Sequence, residues 1–154
     1  MDIEAKLKDL NITLPDAPPA AGSYVGYKKA GGLVFVSGQL PMRNGKPALV
    51  GKLGAGIGIE QAYEAAQLCA LNVLAQLKLA LNGDWTRFVQ VVRVGGFVNC
   101  MPEFADAPKV VNGASDLMVK VFGAAGTHAR AAVGVASLPA NVAVEIEAVF
   151  EVNF

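Results

Sequence analysis

The stretch from Val142 to Val152 constrains this chain more than any other. Val142, Val144, Ile146, Ala148, Phe150 and Val152 alternate there with Ala143, Glu145, Glu147, Val149 and Glu151. A period of two is the signature of a strand laid on a core, with its glutamates turned to the other face. Upstream, His128-Ala129-Arg130-Ala131-Ala132-Val133-Gly134-Val135-Ala136 reads as a second strand, joined to the first through Leu138-Pro139-Ala140-Asn141. Val133 and Val135 point to one face, and Arg130, Ala132, Gly134 and Ala136 to the other. If both valine faces meet one core, an antiparallel hairpin sets Val135 opposite Val144. Arg130 then shares a face with Glu145 and Glu147, and Glu147 is the nearer. Two readings of Arg130 remain open at this point. It is either a structural ion pair with Glu147 or Glu145, or a free guanidinium fork for a carboxylate or phosphate.

The size of the chain, 154 residues, predicts one domain over 1–154, with 1–22 forming a helix and an extended extension. Lysines plus arginines equal aspartates plus glutamates at 13 each, which argues against bulk attraction to nucleic acid. With 53% hydrophobic residues and a mean hydropathy of +0.41, such a chain is expected to hide apolar surface between subunits. No apolar run reaches the ~18 residues of a membrane span, so no membrane contact is expected. Met1-Asp2-Ile3-Glu4 lacks the basic and apolar regions of a secretory signal. The expected location is the cytoplasm, with Cys69 and Cys100 as free thiols.

In chain order, Ile3, Leu7 and Leu10 mark a short helix, stopped by Pro15, Pro18 and Pro19. Tyr24–Lys29, Ala30-Gly31-Gly32 and Leu33–Leu40 read as strand, turn, strand. Because both parities of the second strand are apolar, it is expected to be covered on both sides. Pro41–Pro47 reads as a loop, and Ala48–Val50 as a possible short strand. The segment from Ile59 to Asn82 lacks Gly and Pro and predicts a long helix, stopped at Asn82-Gly83. Phe88–Cys100 is strand-like, with a bulge or close approach at Gly95-Gly96. Pro108–Phe122 predicts a second core helix that ends at Gly123. The pattern is that of an α+β domain, a mixed sheet with two helices packed on one face.

Several constellations carry less than they first suggest. Gly54-Ala55-Gly56-Ile57-Gly58 precedes a helix but lacks the Lys-Ser/Thr of a phosphate loop, and a tight surface turn explains it better. One histidine and two cysteines supply no metal-ligand set. Ser37 has no evident partner to orient His128 as its base, so a hydrogen-bonding hydroxyl is the simpler role. His128 beside Arg130 would lose basicity to the cation. Gly38 would let a small ligand reach the backbone amide.

Val36-Ser37-Gly38-Gln39-Leu40-Pro41, the Glu60-Gln61 helix ending at Asn82, and Ala129-Arg130 through Leu138-Pro139 to Val144-Glu145-Ile146-Glu147-Ala148 resemble the YjgF/Rid family of reactive intermediate deaminases. That family is also known as the L-PSP endoribonuclease family, and the resemblance runs from Tyr24 to Val152. It implies a chorismate-mutase-like fold and a homotrimer with clefts between subunits. It also implies cofactor-free hydrolysis of enamines and imines to 2-oxo acids and ammonia. By the same resemblance Arg130 holds the substrate carboxylate and Glu145 orients or activates water. Tyr24, Ser37, Gly38 and Asn112 would then line the cleft. The chain departs from the family's Pro-Ala-Arg at His128, and from its cysteine two residues after the arginine at Ala132, which suggests a divergent subgroup. Two other functions stay in view: a non-catalytic trimer that binds a small carboxylate and regulates a partner, and the ribonuclease activity of some relatives.

Overall fold

The computed structural model describes residues 1–154. Its elements in chain order are α1 (Ile3–Asp9), β1 (Tyr27–Ala30), β2 (Leu33–Gln39), β3 (Met42–Arg43), β4 (Lys46–Pro47), β5 (Lys52–Leu53), β6 (Gly56–Ile57), α2 (Ile59–Ala80), β7 (Phe88–Asn99), α3 (Ala107–Phe122), β8 (Ala129–Val135) and β9 (Val144–Val152). The main sheet runs β1-β2-β9-β7-β8. β7 and β8 pair in parallel and the other neighbours are antiparallel, so the sheet is mixed. α2 packs against β2 and β9, and α3 against β7 and β8, on the same side. This is the expected α+β layer arrangement.

Local chemistry accounts for the helices. Gly58 opens α2 and donates its N–H to Gln61 Oε1 at 3.1 Å, and Asn82 and Gly83 beyond its end take positive φ of 52° and 78°. Between α2 and the sheet lie fully buried Val73, Leu74, Leu77, Ile146 and Phe150. Each such side chain contributes about 1.5–3 kcal/mol of burial. Phe122 at the end of α3 stacks on Phe88 with ring centroids 4.1 Å apart. Even-numbered side chains of β9 from Val144 to Val152 are all buried against the helices, as the alternation requires.

The hairpin expected between β8 and β9 does not form. β7 lies between them, pairing Val94 with Arg130 on one side and with Ala148 on the other. The chain crosses the end of β7 on its way from β8 to β9, and buried Asn99, the last residue of β7, ties the crossing down. Its amide nitrogen donates to Asn141 Oδ1 at 3.0 Å and to the Val142 carbonyl at 3.1 Å. Alternation fixes which face a residue takes but not which strand it pairs with, and a Val-rich β7 competes for the same partner.

The faces of β8 are also reversed. Arg130, Ala132 and Gly134 point to the helix side, while Val133 is 45% exposed on the other. The small residues follow from close packing, since a Cβ on Gly134 would stand 2.7 Å from Cys100 Sγ. β2 is covered on one side only. Val34 and Val36 are buried at 0% and 4%, whereas Phe35 is 44% exposed on the helix-free face. The expected loop over Pro41–Pro47 contains the small β3–β4 pairing, and Val50 makes a single bridge with Val142.

Candidate functional site

Arg130 ends a row of cross-strand neighbours, Tyr27–Val36–Ala148–Val94–Arg130, at the edge of the sheet. From half-buried Tyr27 the row passes through buried Val36, Ala148 and Val94 under the helices to exposed Arg130. There α3 meets the guanidinium. Nη1 donates to Asn112 Oδ1 at 2.8 Å and to Ser115 Oγ at 3.2 Å. Asn112 and Ser115 are three residues apart, on one helix face. No carboxylate of the chain pairs with Arg130: Glu147 pairs instead with Arg93, at 3.6 Å. The ion-pair reading of Arg130 is therefore set aside.

A second group forms on the helix-free face around Glu145. Register places Glu145 beside Phe97, which pairs on its other side with Val133, and Glu147 next to Gly95. β2 is irregular between Val36 and Gln39, and Gly38 falls in that irregularity. A Cβ at Gly38 would overlap the Glu145 carboxylate, so only glycine lets the carboxylate lie against β2. Burial raises the Glu145 pKa above its ordinary value of 4.5, and repulsion from Glu147 raises it further. The carboxyl is thus half-desolvated and weakly partnered, the condition in which a carboxylate makes a better base. Ser37 Oγ donates to the Val25 carbonyl at 2.6 Å, which commits its proton to the backbone and removes it as a nucleophile.

Tyr24 lies just ahead of β1, 56% exposed. Together with Ser37, Phe35, Arg93 and Glu147 it lines an open cavity of about 780 Å³ on the helix-free face. Tyr24, Ser37, Gly38 and Glu145 thus occupy one side of the sheet, and Arg130 and Asn112 the other side and its edge. Glu145 sits on β9 and Arg130 on β8, two strands over, which sets them about 10 Å apart across the sheet alone. They also lie on opposite faces. One small ligand cannot reach both within a single chain.

The remaining candidates resolve simply. His128 contacts Ser115 at 2.9 Å and the Gly126 carbonyl at 2.6 Å, and Ser37 is not its partner. Gly54 and Gly56 carry positive φ of 84° and 103° around the short β5–β6 pairing, a turn geometry. Cys69 is fully buried, and burial pushes its pKa well up, as does the charge of Glu145. No three His, Cys, Asp or Glu side chains converge as metal ligands. No helix is long and apolar enough to cross a membrane. Ser115 is absent from the sequence candidates; its only signal is the spacing to Asn112 in the helix that precedes Arg130.

Residues 4–151 match the family model described as "YjgF/chorismate_mutase-like, putative endoribonuclease". The chain is 45% identical to Protein TCP17 of Trypanosoma cruzi, covering 98% of this chain and 94% of that one. It is 29% identical to a 2-iminobutanoate/2-iminopropanoate deaminase of Dermatophagoides farinae, over 90% and 92% of the two chains. Among solved structures it is similar to the Agrobacterium tumefaciens protein Atu1372, of unknown function, at 49% identity and a TM-score of 0.91, covering 99% and 94%.

Proposed function

The chain belongs to the YjgF/chorismate-mutase-like family, and from that membership we propose that it hydrolyses reactive 2-imino acids and their enamine tautomers to 2-oxo acids and ammonia, without a cofactor. One observation carries the reading: the Arg130 guanidinium sits on an exposed sheet edge with no carboxylate of its own chain beside it. A cation so placed is complementary to a substrate carboxylate. The named activity of the Dermatophagoides farinae relative supports the substrate class.

Because Arg130 and Glu145 face apart, the reading requires clefts between copies of the chain, in a homotrimer. Arg130 of one copy would hold the carboxylate, Asn112 fixing the guanidinium. Glu145 of a neighbouring copy would orient a water against the imine carbon, beside Gly38 and Ser37, with Tyr24 closing the cleft. In the forward step the water oxygen bonds to the imine carbon while Glu145 takes one of its protons. The C=N pair moves onto nitrogen, which takes a proton from solvent. Glu145 then passes its proton to the amino nitrogen of the carbinolamine, the C–N bond breaks to release ammonia, and the hydroxyl proton returns to solvent as the carbonyl forms, leaving Glu145 as a carboxylate. The raised pKa of Glu145 suits this base role.

The test is ammonia release from a 2-imino acid generated in situ by an amino-acid oxidase. Arg130→Ala should lower kcat/KM by about 10- to 150-fold, the worth of ~1.5–3 kcal/mol for a charge-assisted contact. Glu145→Gln should lower kcat and leave binding of a 2-oxo acid in place. Absence of any acceleration by the native protein, with a 2-oxo acid still bound through Arg130, would instead favour a carboxylate-binding regulatory trimer. Balanced charge argues against ribonuclease action.

A further inference from the structure

A single line of hydrogen bonds runs behind Arg130. His128 Nδ1 lies 2.6 Å from the Gly126 carbonyl oxygen, which can only accept, so Nδ1 carries the proton. In the neutral ring Nε2 is then an acceptor, and it faces Ser115 Oγ at 2.9 Å. The serine hydroxyl must point its proton at the ring. That turns an Oγ lone pair to the Arg130 Nη1 donor at 3.2 Å, while Asn112 Oδ1 takes the same Nη1 at 2.8 Å. Every group in the line has one role, and the order is fixed from the Gly126 carbonyl outward. His128 and Ser115 are half-buried, whereas Arg130 is exposed. A long exposed side chain is thus anchored from behind, through one amino group, with Nη2 and Nε left free of bonds to the chain.

We propose that His128 and Ser115 are positioning residues for Arg130: the histidine sets the direction of the serine hydroxyl, and the serine with Asn112 fixes the guanidinium so that its Nε–Nη2 edge meets a ligand carboxylate. The proposal rests on the reading of Arg130 as the carboxylate clamp. Pre-ordering a flexible arginine spares the entropy of ordering it on binding, so the effect belongs in affinity rather than in the chemical step.

The experiment measures turnover of an imino acid generated in situ together with direct binding of 2-oxobutanoate by calorimetry. Ser115→Ala and His128→Phe should each raise KM and the 2-oxobutanoate Kd by about 3- to 10-fold, with kcat within about 2-fold of native. Ser115→Thr, which keeps a hydroxyl, should restore the native values. Because the two residues act in one line, the double variant should be no worse than either single one. A merely structural role would lower Tm without moving Kd, and would not be rescued by threonine; that result overturns the proposal. Arg130→Ala separates the two levels. If it weakens binding at least tenfold while Ser115→Ala and His128→Phe do not, the positioning claim falls and the clamp stands. If Arg130→Ala also leaves Kd unchanged, both fall.

Discussion

Glu145 illustrates how one residue can oppose the stability of the fold that holds it. Its pKa is raised in the folded state, by burial first and by Glu147 second. The folded chain therefore binds a proton at Glu145 more tightly than the unfolded chain does. Stability contributed at this position is present below the ordinary pKa of 4.5 and is lost as pH rises through the raised one. At neutral pH the ionised carboxylate is a cost, so Glu145→Gln should raise Tm at pH 7. The gain should vanish at a pH below the ordinary carboxylate range, where both forms are neutral. Thermal denaturation of native and variant protein at the two pH values checks this, and a Glu145→Gln protein that melts lower at pH 7 would contradict it. As the proposed base, the same residue should set the acid limb of activity, displaced upward from the ordinary 4.5 of a glutamate carboxyl. Glu147→Gln, by removing the repulsion, should move that limb down.

At the scale of elements, the fold depends on how closely α2 and α3 approach. A Cβ on Gly113 would overlap the Tyr63 carbonyl, and beside it the Tyr63 hydroxyl donates to Asp116 Oδ2 at 2.6 Å. That bond, with burial, pushes the Tyr63 pKa up to about 12. Gly113→Ala should force the helices apart and cost about 1–3 kcal/mol or more, despite the better helix propensity of alanine. Denaturant unfolding reads the sum; an unchanged or higher midpoint would mean the helices can shift freely. Here the limits of legibility are physical. The helices, the strands and the apolar face of β9 follow from periodicity, which reports the face each residue takes. Arg130, Glu145, Ser37, Gly38 and Asn112 were nameable because their residue types in context resemble a known pattern. Pairing order was not legible. β8 and β9 are neighbours in sequence and share a core, yet β7 separates them, and only buried Asn99 betrays the crossing. Ser115 carries no signal of its own for a related reason: a half-buried serine takes its contacts from what the following turn places beside it.

For the whole molecule, the decisive fact is that the sheet has one covered face and one open one. Phe35 and Val133 are 44% and 45% exposed there, near half-buried Val149, Phe97 and Glu145. A face of that character suits burial against other copies of the chain. Arg130 lies on the opposite side at the free edge of β8, so a shared cleft needs the edge of one copy to meet the open face of the next. The geometry gives a test that does not depend on the substrate's identity. Arg130→Ala and Glu145→Gln proteins should each retain at most about a tenth of native activity. If the proposed shared cleft forms, then after the two are unfolded together in equal amounts and refolded each cleft draws its arginine from one copy and its glutamate from another. One cleft in about four then receives both native residues, and about a quarter of native activity should return. A site contained within one chain would regain nothing, because every chain in the mixture lacks one of the two groups. Val133→Glu, which places a charge on the open face, should yield a species near the 15.9 kDa mass of the single chain by light scattering, inactive although folded. If such a monomer turned over substrate at the native rate, Arg130 and Glu145 would not serve one substrate.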